Sequence, residues 1–159
     1  MTAARVHHSA IVVRDVDASL RFWRDGVGFE VMMDMEFDGD WGTLFGARVN
    51  RLRSVFLGDP ARADAGIVEL VQFLDAAAPV VDDGRPGAAP QSSPAGTGFF
   101  LLSCYVDVEA VLGRLRALGL GGEPRRIAVP APGSRRDVQM ATVVDPDGVL
   151  VELIGVAAP

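Results

Sequence analysis

The sequence predicts an α+β fold made of two tandem modules, each with the element order β-α-β-β-β. Two repeated features lead to this prediction. An apolar strand that turns at an aspartate into a helix occurs at residues 8–18 and again at residues 101–110. Each half then ends in an aliphatic strand with a central glutamate, at residues 67–70 and 150–153. Because a repeated unit determines the architecture, the chain is expected to hold two copies of one supersecondary motif.

The elements of the first module follow from local patterns. Residues 5–13 are apolar and rich in β-branched side chains, which is typical of a strand. Asp15 or Asp17 can cap the helix predicted at residues 18–25, and the glycines that follow can end it. Further strands are predicted at residues 29–37, 49–57 and 66–73, with a short helical turn within residues 41–47.

The second module repeats this order after a linker. Residues 76–97 contain four prolines among glycine, alanine and serine and have no hydrophobic period, which predicts a semi-flexible connection. Residues 108–118 carry valines and leucines at helical spacing, and Gly119 can stop this helix. The predicted strands are 98–106, 126–129, 137–144 and 149–154, with a turn at Asp145-Pro146-Asp147-Gly148. The predicted domain boundaries are therefore 1–75 for the first module, 76–97 for the linker and 98–159 for the second module.

Composition argues against several classes of function. Lysine and arginine number 15 against 21 aspartates and glutamates, a net charge of −6, which disfavours binding to nucleic acid or to an anionic membrane surface. No run approaches the roughly 20 apolar residues of a membrane span, and residues 1–5 lack the apolar stretch of a secretion signal. Cys104 is the single cysteine, so no disulfide within the chain is expected and a reducing cytoplasm is predicted. Its apolar strand predicts the role of a small core residue.

The glutamates of the two closing strands are the main functional signal. Because side chains alternate along a strand, Glu69 shares its face with Ile67 and Val71, and Glu152 is likewise flanked by aliphatic side chains. Burying an unpaired carboxylate costs several kcal/mol, so each glutamate is expected to have a raised pKa, a cationic partner or a metal ion. Two glutamates at matched positions favour a functional site. The alternative is a structural ion pair with one of the available arginines, which are Arg51, Arg53, Arg125 and Arg126.

A histidine accompanies these carboxylates in the first module only. His8 shares its strand face with Ala10 and Val12, where it is either a satisfied core residue or a ligand. Imidazole together with carboxylates suits a divalent first-row metal ion. His7 is expected to face the other way and to be structural. Side chains that could wall a small-molecule pocket, or that simply belong to the core, are Met32, Met33, Trp41, Phe45, Phe99, Phe100, Leu101 and Tyr105.

Several of these segments resemble a known superfamily. The first are His8-Ser9-Ala10-Ile11-Val12-Val13-Arg14-Asp15, Arg21-Phe22-Trp23-Arg24-Asp25 and Val68-Glu69-Leu70. The last is Asp145-Pro146-Asp147-Gly148 leading to Glu152-Leu153, which is among the more specific features. Together these motifs span nearly the whole chain. They resemble the vicinal oxygen chelate superfamily, which includes glyoxalase I, methylmalonyl-CoA epimerase, extradiol dioxygenases and the bleomycin-resistance proteins.

The resemblance implies a fold in which the mixed sheets of two modules pair into a cupped, partly closed barrel, within one chain or across a homodimer. It also implies a divalent metal ion (Zn, Ni, Mn, Co or Fe) held by His8, Glu69 and Glu152. The fourth ligand position falls on Phe100 or Leu101, depending on the alignment, and both are apolar. An extradiol dioxygenase needs two histidines and one carboxylate, which these positions do not supply.

The activity implied by the resemblance is that of a small-molecule lyase or isomerase. In such an enzyme Glu69 or Glu152 would move a proton, while the metal polarises a substrate oxygen. The alternative is a metal-free binding protein of the bleomycin-resistance type, which sequesters an antibiotic or another hydrophobic molecule. The missing second histidine and the aromatic pocket walls fit this alternative too, but the lyase or isomerase is ranked first. In both cases the expected partners are a small molecule and a second copy of the chain.

Overall fold

The computed structural model describes residues 6–45, 49–62, 66–75, 99–130 and 137–155. Within these ranges the chain divides into two compact units, the first with the first four strands and the second with the last four. Each unit is described by itself. The predicted linker, residues 76–97, lies outside the described residues. No helix in the described ranges is long and apolar enough to cross a membrane.

The first four strands form one mixed sheet. The elements are β1 (His8–Val12), α1 (Val16–Leu20) continued by a π-helical turn (Arg21–Val27), β2 (Glu30–Asp38), α2 (Trp41–Phe45), β3 (Arg51–Gly58), a 3₁₀ turn (Pro60–Arg62) and β4 (Ile67–Phe73). The order in the sheet is β1-β4-β3-β2, with β1 parallel to β4 and the other neighbours antiparallel. The predicted β-α-β-β-β order of this module is confirmed.

The first helix begins earlier than predicted because Asp15 is its cap. The Oδ1 atom of Asp15 accepts hydrogen bonds from the backbone N–H groups of Asp17 at 2.9 Å and Ala18 at 3.2 Å. Val16 is therefore already helical. The helical segment ends at Gly28, whose φ of 104° is the left-handed conformation that glycine adopts readily.

The last four strands form a second mixed sheet. Its elements are β5 (Leu102–Val106), α3 (Val108–Leu118), β6 (Gly121–Pro130), β7 (Asp137–Val144) and β8 (Leu150–Gly155). The order is β5-β8-β7-β6, with β5 parallel to β8, so the repeat of the first module is confirmed. Both sheets are open, each with two edge strands, and neither closes into a barrel by itself. Strand β6 begins well before the predicted start at residue 126, through an irregular stretch between Gly121 and Arg125.

One face of the first sheet lies against α1, and the opposite face carries the candidate site. Gln72 on β4 marks the helix-facing side, because its Oε1 accepts a hydrogen bond from the Val16 N–H at 3.2 Å. Alternation along the strand puts Glu69 on the other face, between Ile67 and Val71. Both neighbours are buried. The site face is thus apolar around its glutamate, as the sequence predicts.

The predicted turn before β8 is built around a buried carboxylate. Asp145 is only 4% exposed, and its Oδ1 accepts N–H bonds from Asp147 at 2.9 Å and Val149 at 2.8 Å. Gly148 has a φ of 91° and donates its N–H to the Asp145 carbonyl at 3.1 Å. This motif therefore orders the chain that leads into the strand of Glu152.

Candidate active site

Strand register brings three polar side chains onto one face of the first sheet. In the parallel pair of β1 and β4, Ala10 lies beside Glu69, and His8 lies two residues before Ala10. In the antiparallel pair of β3 and β4, Phe56 lies opposite Glu69, and Ser54 lies two residues before Phe56. Residues two apart share a face, so His8 and Ser54 approach Glu69 from its two neighbouring strands.

The carboxylate of Glu69 is held at both oxygens. Its Oε2 lies 3.1 Å from His8 Nε2, and its Oε1 accepts a hydrogen bond from the Ser54 hydroxyl at 2.6 Å. The side chain of Glu69 is 16% exposed and that of His8 is 38% exposed. A carboxylate has about four lone-pair positions, so Glu69 keeps acceptor capacity beyond these two contacts. A carboxylate that is oriented in this way and can still accept a proton has the chemistry needed for a general base.

The predicted alternative is an ion pair between a glutamate and an arginine. In the first sheet, the two arginines considered for that role pair with other carboxylates. Arg51 pairs with Glu36. Arg53 makes a two-point contact with Asp34, at 2.8 and 2.7 Å, and these hydrogen bonds hold the pKa of the Asp34 carboxyl below its usual value. Among the described residues, the partners of Glu69 are therefore a histidine and a serine.

The second module repeats the carboxylate without the imidazole. Ser103 lies beside Glu152 in the parallel pair of β5 and β8, and its hydroxyl donates a hydrogen bond to the Glu152 carboxylate. This register makes Ser103 the counterpart of Ala10. The residue two before it, Leu101, is then the counterpart of His8. Of the two alignments that the sequence leaves open, the register selects the one with leucine.

The donor atoms do not fit the four-ligand metal centre that the resemblance implies. In the second module the position of the nitrogen ligand is held by Leu101, which has no donor atom in its side chain. In the first module both ring nitrogens of His8 have partners, Glu69 at Nε2 and His7 at Nδ1. Across the described ranges, no group of three or more His, Cys, Asp or Glu side chains is arranged to hold an ion.

Three further residues of the two glutamate sites are not predicted by the sequence. Neither Ser54 nor Ser103 belongs to a recognisable motif. The only hint in the sequence is a serine among the apolar residues of β3. In the structure this residue, Ser54, is only 2% exposed. His7 is expected to face away from His8, yet the Nδ1 atoms of the two rings lie 2.9 Å apart. That expectation is wrong because β1 begins only at His8, so strand alternation does not extend to His7.

The predicted pocket walls are distributed over several elements. Trp41 and Phe45 stack on α2 with their ring centroids 5.8 Å apart. In the second half of the chain Phe99, Phe100 and Tyr105 are all more than half exposed. The remaining predicted wall residues are half-buried, namely Met32, Met33 and Leu101. Their role in contacting a ligand stays a prediction.

Cys104 is a buried residue of β5 in the second unit. It is 8% exposed, and burial raises the pKa of its thiol to about 11. The thiolate, which is the nucleophilic form, is therefore scarce at neutral pH. This burial agrees with the predicted role of a small core residue.

Fold and site together define a class of protein. It is an α+β chain of two β-α-β-β-β modules with a glutamate on the last strand of each, the first of which is oriented by histidine and serine. The chain belongs to the Glyoxalase/Bleomycin resistance protein/Dioxygenase superfamily, whose sequence profile matches residues 5–153. The resemblance to the vicinal oxygen chelate superfamily is thereby confirmed.

Individual relatives agree with this assignment. The lactoylglutathione lyase-like protein terB of Aspergillus terreus is 37% identical over 154 residues, which cover 94% of this chain and 74% of that protein. A glyoxalase family protein from Bacillus cereus superposes with a TM-score of 0.69 at 18% identity, covering 98% of this chain and 95% of its own. The trypanothione-dependent glyoxalase I of Leishmania major has a TM-score of 0.57 at 21% identity, with 96% and 87% covered. At these identities the two structures establish the shared fold.

Proposed function

We propose that this protein is a small-molecule lyase or isomerase of the glyoxalase type, in which Glu69 transfers a proton between neighbouring carbon atoms of the substrate. One observation carries the proposal. The Glu69 carboxylate is held by His8 and Ser54 on an apolar sheet face and keeps lone pairs for a proton. The relative from Aspergillus terreus, which is named lactoylglutathione lyase-like, supports this class of reaction.

The name of this relative suggests the substrate class, which is the hemithioacetal of a 2-oxoaldehyde and a thiol. Glu69 takes the proton from the carbon that carries hydroxyl and sulfur. The C–H electron pair forms a C=C bond, and the carbonyl π electrons move onto the carbonyl oxygen. The proton is then returned to the former carbonyl carbon, while the hydroxyl proton passes to the other oxygen. The product is a 2-hydroxy thioester, and no oxidant or second reactant is consumed.

Each remaining site residue has a defined part in this proposal. His8 and Ser54 orient the carboxylate, and the buried side chains of Ile67 and Val71 flank it on its strand. Glu152 is proposed as a second acid–base residue because it repeats the position of Glu69 and is oriented by Ser103. The side chains proposed to contact the substrate are Trp41, Phe45, Phe100, Leu101 and Tyr105.

A divalent ion is expected at His8, Glu69 and Glu152 because members of this superfamily commonly use such metals. Its presence is tested separately from the proton transfer. Elemental analysis of protein purified without chelators answers it. Metal well below one equivalent per chain supports proton transfer by the side chains alone. One equivalent that disappears in both Glu69→Gln and Glu152→Gln would show that these carboxylates are ligands.

The test of the function is turnover of the hemithioacetal formed from methylglyoxal and glutathione, followed by thioester formation and, in D₂O, by deuterium in the product. Glu69→Gln preserves size but cannot take up the proton, so kcat is expected to fall about 10²- to 10⁴-fold. The matched control is Glu36→Gln, a glutamate of the same sheet that pairs with Arg51, and its kcat should equal that of wild type. An inactive wild-type protein, or a fully active Glu69→Gln, contradicts the proposal.

A second candidate function is binding without turnover, which Leu101 at the histidine position favours. This function predicts that a hydrophobic ligand binds equally well to wild type and to Glu69→Gln, with no deuterium exchange in either. For both candidate functions we propose that the protein is a homodimer and that it is located in the cytoplasm. Sedimentation velocity of the purified chain measures the first of these directly.

A further inference from the structure

A cavity of about 230 Å³ lies in the second unit, between the C-terminal half of α3 and strands β6 and β7. Leu115, Leu120 and Val143 belong to its apolar lining. Val143 directly follows Thr142, the residue opposite Glu152 in the pair of β7 and β8. Because consecutive residues of a strand point to opposite faces of the sheet, the cavity and the Glu152 carboxylate lie on opposite faces of the second sheet.

The internal repeat identifies the residues of the first module that correspond to the two leucines. After α3, the Leu120 N–H donates a hydrogen bond to the Leu115 carbonyl at 2.9 Å. After the π-helical turn of the first module, the Phe29 N–H donates in the same way to the Trp23 carbonyl at 3.1 Å. Each donor directly follows the left-handed glycine that ends its helix and directly precedes a strand. Leu115 therefore corresponds to Trp23, and Leu120 corresponds to Phe29.

The first module fills this position with aromatic rings of its own. Trp23 is fully buried, and its ring stacks on that of Phe29 with centroids 5.9 Å apart and an interplanar angle of 20°. The second module has the smaller leucine side chain at both positions, and the cavity lies beside these leucines. An apolar cavity of about 150 Å³ is large enough to bind benzene. The cavity of the second module is therefore large enough for an aromatic ring.

Two side chains of opposite charge also line the cavity. Arg116 lies in the last turn of α3, and Glu123 lies in the irregular start of β6. Both residues are exposed, and in the part of the chain that the structure describes neither of them forms an ion pair. A guanidinium group binds a carboxylate through parallel hydrogen bonds, and a carboxylate accepts hydrogen bonds from an ammonium group. The two charges therefore complement a zwitterion.

We propose that this cavity is a binding site for a free aromatic α-amino acid. The ring of the amino acid occupies the apolar space that Trp23 and Phe29 fill in the first module. Its carboxylate binds Arg116, and its ammonium group binds Glu123. A ring in this space supplies the van der Waals contacts that the lining of an open cavity lacks. The site is independent of the proton transfer proposed above, because the described residues that line it include neither of the two glutamates proposed to transfer a proton.

Isothermal titration calorimetry of the full-length protein with L-phenylalanine tests the proposal. We expect saturable binding of one molecule per chain at millimolar concentration or below, and a Tm that rises with L-phenylalanine concentration. Phenylpropanoate lacks the ammonium group and phenethylamine lacks the carboxylate, so each is expected to bind about fivefold more weakly. A protein that does not bind L-phenylalanine overturns the proposal. Equal affinity for the three compounds overturns the assignment of an amino acid.

Leu120→Phe places in the second module the ring that the first module carries at the corresponding position. The new ring should occupy the cavity and weaken binding of L-phenylalanine about tenfold or more, while urea unfolding confirms that the variant is folded. Ala117→Phe is the matched control, because it adds the same ring at an exposed position of α3 outside the cavity lining. Its affinity should equal that of wild type. Wild-type affinity in a folded Leu120→Phe overturns the proposal.

Arg116→Gln tests the charged contact without a change in the protein core. The variant should bind L-phenylalanine about fivefold more weakly, whereas phenethylamine, which has no carboxylate, should bind as it does to wild type. Unchanged affinity for L-phenylalanine overturns the pairing with Arg116. Glu152→Gln alters the opposite face of the sheet and should bind L-phenylalanine like wild type. Loss of binding in that variant would place the amino acid at the candidate active site and overturn the proposal.

Discussion

Leu101, which directly precedes β5, stands two residues before the residue paired with Glu152, just as His8 stands two residues before the residue paired with Glu69. The two halves of this protein therefore share a backbone plan and differ in the chemistry attached to it. One glutamate has an imidazole and a buried hydroxyl as partners, and the other has the Ser103 hydroxyl. This difference is why proton transfer is assigned first to Glu69.

The equivalence of these positions predicts the behaviour of Leu101→His. The new imidazole should lie near Glu152, as His8 lies near Glu69, and the carboxylate should raise the imidazole pKa above its ordinary value. An NMR titration of the variant measures that pKa. The double variant Leu101→His/Glu152→Gln is the control, and its imidazole should titrate at lower pH. Equal pKa values in the two variants would show that the register does not bring the side chains together.

Removal of the Ser54 hydroxyl should affect both stability and turnover. Ser54→Ala leaves the Glu69 carboxylate with one donor, and losing one hydrogen bond costs about 1 kcal/mol of the free energy of unfolding. If a similar energy is lost from the orientation of the base, kcat falls by about fivefold. Urea unfolding and steady-state kinetics measure the two effects. Ser103→Ala makes the matched change at Glu152 and should leave the orientation of Glu69 intact. An equal loss of kcat in both variants would contradict the primary role given to Glu69.

Much of the fold can be predicted because its signals are local. The bounds of α3 follow from Asp107, which caps it through a hydrogen bond from the Ala110 N–H, and from Gly119, which ends it with a φ of 69°. The early start of β6 is missed because Gly121 and its neighbours resemble a turn. Only pairing with β7 shows that this irregular stretch already belongs to the sheet.

The site is less predictable because it depends on register between strands. Alternation alone places Glu69 on an apolar face, since Ile67 and Val71 are its neighbours in sequence. The contact with Ser54 is diagonal across β3 and β4, and no pattern within either strand specifies that offset. His7 is missed for a related reason, because strand periodicity says nothing about a residue just outside the strand.

The Arg53–Asp34 pair predicts a pH-dependent contribution to stability. Hydrogen bonds from Arg53 lower the pKa of Asp34 in the folded protein from its ordinary 3.8. The contribution is therefore fully present above pH 3.8 and is lost as the pH falls through the lower folded value. The side chains are 24% and 38% exposed, so solvent screening limits its size to about 1 kcal/mol or less.

Comparing wild type with Arg53→Gln measures this contribution. The free energy of unfolding should be lower in the variant at neutral pH, and the difference should shrink as the pH drops below about 3.8. Asp34→Asn is the control, because it removes the titrating group and should abolish this part of the pH dependence. A difference that grows on acidification would contradict the assignment.

Removing the Asp145 carboxylate is expected to lower stability strongly, although this residue is not one of the proposed proton-transfer groups. Its buried carboxylate accepts N–H bonds from Asp147 and Val149, and Asp145→Ala leaves both donors without this acceptor. Leaving a buried polar group unpaired costs about 1–3 kcal/mol, so thermal and urea unfolding should show a loss in that range or above. Asp145→Asn retains one side-chain oxygen acceptor and should lose less. Because the turn leads into the strand of Glu152, a loss of activity in Asp145→Ala should be matched by a loss of folded protein, whereas full stability with lost activity would assign this carboxylate a direct part in the chemistry.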